Sequence, residues 1–282
     1  MLNYRFSPIA GRIMFGFLLY LGFDSHSLYA NNHTGNPLLS PRTALQQPPL
    51  PDFAAVTDTE QKKQQFFDFL QPQISRINLR IESERAWLVL VYQTIEQGET
   101  LAYWQQQMLG ELHDYYRVAE PIASSAAFEQ LMLRVDTIPA SLVLAQAANE
   151  SAWGTSRFAV EGNNLFGQWC FSQGCGLVPT GRDSDASHEV RVFYSVADSV
   201  DSYFRNLNTH RQYAAFRALR AQSRDRNELL NSTELVWGIK GYSSRGDLYI
   251  TELIDMIRYN ALQQYDQPAF YASQPIQIKA DG

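Results

Sequence analysis

The stretch that most constrains the fold is Ile138–Gly167, IPASLVLAQAANESAWGTSRFAVEGNNLFG. A proline costs nothing in a first helical turn, so a helix is expected from Pro139. Leu142, Ala145 and Ala148 recur at helical spacing and make one face apolar and narrow. Small alanines let neighbouring helices approach closely. A chain with such a helix must surround it with others. Glu150 closes the run, just ahead of Ser151, Ala152, Trp153 and Gly154. A lone carboxylate leaving a buried helix beside a tryptophan suits a proton donor, because partial burial disfavours its charged form. An ordinary helix-end glutamate bonded to backbone or to an arginine fits the same pattern.

Helical periodicity continues on both sides. Thr57 and Glu60 have capping-box spacing and open a helix carrying Phe66, Phe67, Phe69 and Leu70, which Pro72 is expected to interrupt. Ile74, Ile77, Ile81, Leu88, Val91 and Ile95 predict a long amphipathic helix ending by Gly98. Further helices are expected from Leu101 to Tyr116 and from Phe128 to Val135. After Glu150 the period changes. Leu165–Phe171 and Val190–Tyr194 read as short strands around a polar excursion, Gly174–Glu189. Ser195 and Asp198 cap another helix, followed by helices over Tyr213–Arg220, Glu228–Gly238 and Asp247–Leu262. The expected fold is α+β and predominantly helical.

The chain divides by composition. Residues 1–30 carry Arg5 and Arg12 ahead of the apolar run Ile13–Phe23, and Ala30 ends a small-residue stretch. This is the layout of a signal peptide, or of an N-terminal anchor if uncut, because Leu28 is a poor cleavage-site residue. Residues 31–56, rich in Pro, Gln, Asn and Ser, read as a flexible linker. Residues 57–135 are expected to form a helical extension, 136–264 the domain that carries Glu150, and 265–282 a surface tail. Export makes a disulfide between Cys170 and Cys175 the expected state of those two cysteines.

The segments AQAANESAWG and NNLFG resemble the glucosaminidase family, glycoside hydrolase family 73. CFSQGCGLVP, HEVRVFYSV, SYFRNLNTH and GYSSRGDLYI resemble its Bax-type branch from Gram-negative bacteria. The resemblance implies a lysozyme-like helical lobe facing a small β lobe, and an exported peptidoglycan hydrolase, periplasmic or held at the inner membrane by its N-terminus. It implies cleavage after N-acetylglucosamine, with Glu150 as general acid. A second carboxylate is expected from the β lobe. Glu189 is chosen over Asp183 and Asp185, which lie in a looser stretch. Tyr242 matches the family's tyrosine facing the acid, although Ser-Ser-Arg follows it where the family has Ala-Thr-Asp. Trp153, Asn163, Asn164, Phe166 and Trp169 are expected to contact sugar, and Tyr213 to be structural. A carboxylate gap of about 6.5–9.5 Å would mean inversion, about 5 Å retention; the substrate's own N-acetyl group could replace the second carboxylate. A lytic transglycosylase or a non-catalytic wall-binding protein are the competing readings.

Other chemistries find little support. Lys and Arg total 23 against 29 Asp and Glu, a net charge of −6 without a basic stripe, which argues against nucleic acid. His113, His188 and His210 are scattered, so no metal or other cofactor is expected. No serine has the G-x-S-x-G context and no phosphate-binding loop occurs.

Overall fold

The computed structural model describes residues 48–182 and 187–266. The expected signal peptide or anchor, most of the linker, Asp183, Asp185 and the tail beyond Asp266 lie outside the described residues. Among those described, no helix is long and apolar enough to cross a membrane.

The first long helix, α1, is Thr59–Glu96. Asp58 caps it, accepting from the Gln61 amide at 2.7 Å. Thr57 is therefore not the cap. The stop expected at Pro72 does not occur, and the helix runs through it. Phe66, Phe67, Leu70, Ile74 and Ile77 on either side are all buried. Their packing outweighs the ~3 kcal/mol cost of an interior proline. The carbonyl of Phe69, beside the proline, accepts the Gln73 side-chain amide at 3.0 Å. Next come α2 (Tyr103–Tyr115) and α3 (Ser125–Arg134), as expected from their apolar spacing.

Helix α4, Ala140–Ser151, is the centre of the molecule. Every residue from Ala140 to Ala148 is buried, so the helix is enclosed on all sides rather than along one stripe. It packs against α1, against α9 (Asp247–Tyr259) and against a 3-10 turn, Leu262–Asp266. Asn78 of α1 pairs with the Ile138 backbone in both directions, at 2.9 and 3.1 Å. Pro139 offers no side-chain cap. Asp266 supplies one from the other end of the chain, accepting from the Ser141 amide at 2.8 Å and the Ser141 hydroxyl at 2.7 Å. The start of the expected tail is thus docked.

Before α4 lies a buried ionic knot. Asp136 is ringed by Arg220, Arg224 and Arg85. Burial opposes its charge, but the three guanidinium groups outweigh burial and hold its carboxyl below the usual range. Arg220 is fully buried and also donates to the carbonyls of Leu133, Asp136 and Thr137 and to Asn208. It ties α7 (Ala214–Asp225) to α6 (Val196–Thr209) and to the entry of α4.

Beyond the short helix α5 (Arg157–Gly162) comes a three-stranded antiparallel sheet of β1 (Trp169–Cys170), β2 (Gly176–Leu177) and β3 (Glu189–Arg191), in the order β1-β3-β2. Trp169 faces Val190 and Cys170 faces Glu189; Gly176 faces Arg191 and Leu177 faces Val190. The strands are shorter than expected, because Leu165 and Phe166 are buried in the loop before β1. The Cys170–Cys175 disulfide is present, with Cα atoms 6.2 Å apart. The helix expected over Glu228–Gly238 begins later, as α8 (Ser232–Leu235), where the Asn231 side chain caps it. A 3-10 segment, Val236–Tyr242, leads on to α9. All described residues fall in one compact unit, so the N-terminal helices share their core with the stretch from Asp136 onward.

Candidate active site

Glu150 sits in the last turn of α4, half-buried, between the enclosed helix and an unusual turn. Ala152, Trp153 and Gly154 all have left-handed backbone, with φ of 50°, 61° and 76°. Two of the three carry a Cβ, a costly arrangement that persists only when its surroundings hold it. Ser151 does part of this, donating to the Ala147 carbonyl and accepting from the Gly154 amide at 2.8 Å. Packing does the rest. The Trp153 ring lies 5.8 Å from Phe66 and 5.5 Å from Phe67, edge-on to both. Trp153 therefore docks the turn onto α1, a packing role that competes with the sugar contact expected of it.

A layer of phenols surrounds the carboxylate. Tyr249 of α9 donates to Glu150 Oε1 at 2.8 Å. Its ring stacks on that of Tyr242 with centroids 6.1 Å apart and planes 4° from parallel. Tyr242 donates its hydroxyl to the Phe166 carbonyl at 2.6 Å. Tyr213 and Tyr203 lie 6.0 and 6.4 Å from Tyr242. Burial pushes the Glu150 carboxyl above the usual range, while the Tyr249 hydroxyl, the Asn149 amide and the Arg245 charge pull it partly back. The result is a carboxylic acid more reluctant than usual to lose its proton, with the Tyr249 hydroxyl directed at its Oε1.

The other expected contacts fall differently. Phe166 is 1% exposed, its ring stacked on Tyr203 at 4.2 Å, so it is core and not a substrate contact. Asn164 is equally buried and spends its amide on backbone. Its Nδ2 donates to the carbonyls of Gln168 and Arg191, and its Oδ1 accepts from the amides of Phe166 and Gln168. Asn163, left-handed at φ 51°, donates to the carbonyls of Phe193 and Tyr194. Both asparagines staple the loop before the sheet, and neither has a free amide N–H pair to offer a sugar. Trp169 is different: it is 58% exposed on β1, with one face stacked on His188 at 4.3 Å.

Glu189 is buried on β3, and its two oxygens accept from the amides of Gly174 at 3.0 Å and Gly176 at 2.8 Å. Those donors hold its carboxyl below the usual range. Such a carboxylate anchors the disulfide loop and is a weak base. This geometry speaks against the catalytic role expected of it. Cys170, Cys175 and Glu189 cluster closely, but both sulfurs are joined to each other and offer no thiolate to a metal.

Sequence reasoning missed Tyr249, Gln146 and Tyr203. The visible signal was Gln146 itself, the one polar residue within LVLAQAA, four positions before Glu150 and hence on the same helix face.

The family model described as mannosyl-glycoprotein endo-beta-N-acetylglucosaminidase matches residues 125–262. Protein bax of Escherichia coli (strain K12) is 34% identical over 223 residues, covering 78% of this chain and 77% of that protein. The chain belongs to the glucosaminidase family. A solved structure, the catalytic domain of the autolysin Auto from Listeria monocytogenes, aligns at 17% identity with a TM-score of 0.41, over 76% of this chain and 92% of that one. That likeness is too remote to inform the site. As a glucosaminidase the protein is a glycoside hydrolase by family. The match contains α4, the sheet and the phenol layer; α1 and Asp266 lie outside it.

Proposed function

We propose that this glucosaminidase is an exported peptidoglycan hydrolase that cleaves the glycosidic bond following N-acetylglucosamine, with Glu150 as general acid. The observation that carries the reading is the half-buried carboxyl at the end of α4, pushed above the usual carboxylate range by burial and aimed by Tyr249. Hydrolysis needs a proton delivered to a poor leaving oxygen, and a raised acid at a helix end can deliver it. The substrate class rests on the family resemblance, and the extracytoplasmic location on the N-terminal sequence and the disulfide.

Glu189 has both oxygens tied to backbone, so the attacking group is better supplied by the substrate's own acetamido oxygen. Tyr242 fits that step. Its hydrogen is committed to Phe166, which leaves its oxygen as an acceptor for the acetamido N–H. Trp169 offers an exposed ring for the C–H face of a neighbouring sugar.

The test is digestion of purified sacculi followed by mass spectrometry and proton NMR of the new reducing ends. The expected products end in N-acetylglucosamine with retained anomeric configuration, and Glu150→Gln abolishes their formation while still binding sacculi. A 1,6-anhydro-muramoyl end would show a transglycosylase instead. Inversion would require a separate base, with Asp183 and Asp185 the first to be substituted.

A further inference from the structure

Gln146 is fully buried in α4, one turn before Glu150. Its amide is engaged at both ends. Nε2 donates to the Tyr249 hydroxyl at 2.8 Å, and Oε1 accepts the hydroxyl hydrogen of Tyr203. Tyr203 itself is enclosed on α6, its ring stacked on Phe166. The Tyr249 oxygen, already accepting from the amide, has its own hydrogen left to give, and gives it to Glu150 Oε1. Each link fixes the direction of the next, from Tyr203 through Gln146 and Tyr249 to Glu150.

We propose that Tyr249 is the positioning residue of the acid, set as a one-way donor by Gln146 and Tyr203, so that the proton delivered to substrate sits on Oε2 of Glu150. An oxygen that receives a phenolic hydrogen bond is poorly placed to carry a proton of its own, so the acidic hydrogen resides on the other oxygen. That oxygen faces Gly167: a Cβ placed there would lie 3.6 Å from Oε2, with nothing else within 4 Å. With no side chain at Gly167, that residue does not crowd Oε2, and its φ of 63° favours a residue without a side chain. A buried chain of this kind strengthens each bond by polarising the next.

The groups that face Glu150 are Tyr203 from α6, Tyr213 from the 3-10 turn Arg211–Tyr213, Tyr242 from the 3-10 segment Val236–Tyr242, Arg245 in the turn before α9, Tyr249 in the first turn of α9, and Asn149 beside it. Arg245 is also paired with Glu252 at 2.7 Å. The phenols are pushed up by burial and stay neutral through the working range. The pH response of Glu150 is thus governed by burial, by the Tyr249 and Asn149 donors and by the Arg245 charge.

The proposal rests on Glu150 being the acid, and the experiment separates the two. Initial rates of sacculus hydrolysis are measured against pH for the full chain, for Tyr249→Phe, for Gln146→Leu and for the double variant, with thermal melts alongside. The alkaline limb marks loss of the acid's proton. Removing a donor to the carboxylate raises its pKa, so Tyr249→Phe is expected to move that limb up by about one pH unit. Its kcat should fall about 10- to 100-fold through lost alignment, with little change in KM. Gln146→Leu should move the limb the same way by less, and the double variant no further than Tyr249→Phe. Tyr203→Phe tests the same link if Gln146→Leu does not fold: it should shift the limb in the same direction. An unmoved limb in Tyr249→Phe overturns the proposal. So do shifts from Gln146→Leu and Tyr249→Phe that add in full. An active Glu150→Gln would instead remove the acid assignment itself.

Discussion

Gly154→Ala tests how the turn after Glu150 is held. Two costs arise there. The residue has φ +76°, and a left-handed residue with a Cβ costs about 1–2 kcal/mol. The new methyl would lie 2.6 Å from Phe53 Cδ2, 3.1 Å from Phe53 Cε2 and 3.3 Å from Phe66 Cε2. Phe53 and Phe66 are both buried and packed edge-to-face at 5.4 Å, so neither can swing aside freely. Overpacking of this kind costs about 1–3 kcal/mol. The sum is about 2–5 kcal/mol, or a fall in Tm of roughly 5–15 °C for a domain of this size. Urea unfolding followed by circular dichroism measures it. Phe53→Ala alone should cost about 3–5 kcal/mol through the void it leaves. Combined with Gly154→Ala it removes the clash, so the pair should be less damaging than the sum by about 1–3 kcal/mol. A neutral Gly154→Ala, or strict additivity with Phe53→Ala, would refute the picture of a turn clamped by the N-terminal segment.

Three further outcomes can be checked. Burial pushes the Glu84 carboxyl up to about 7 from 4.5, against the pull of Arg80 and the Tyr116 hydroxyl. The folded state then keeps its proton to higher pH than the unfolded chain, so this group's contribution to stability declines as pH rises from 4.5 towards 7. The decline is about 3 kcal/mol at ~1.4 kcal/mol per unit, and Glu84→Gln should flatten it when denaturation at pH 5 and pH 8 is compared. Reducing the Cys170–Cys175 bond should cost about 2 kcal/mol, confined to the sheet, and speed amide exchange over residues 170–177 while the main melt barely shifts. Asp266→Ala should cost about 1–2 kcal/mol by uncapping α4, and ending the chain after Gln264 should cost at least as much in the same unfolding assay.

The helical part of the fold was legible because its signals are local. Spacing placed α2 and α3, Ser195 placed the cap of α6, and the two cysteines, five positions apart in a chain whose N-terminal sequence reads as an export signal, pointed to the disulfide. Local signals failed where distant residues decided the outcome. The continuity of α1 through Pro72 depends on packing of the phenylalanines, and the cap of α4 comes from residue 266. In the site, Glu150 stood out by position, but the asparagines and Phe166 did not reveal their partners. An amide able to bind sugar is equally able to bind a carbonyl two strands away, and only the folded chain shows which it has chosen. Tyr242 and Tyr249 are seven residues apart, so either could face the acid; the stacking of their rings gives Glu150 to the second.

The helix that carries Glu150 is finished at both ends by residues beyond the span the family match covers: Asp266 at its start, and Phe53, Phe66 and Phe67 against the turn at its end. A fragment trimmed to 125–262 would therefore keep every group proposed for the chemistry and lose what keeps them still. Trimming for crystallisation or for transplanting the activity onto another carrier should leave at least 50–266 intact.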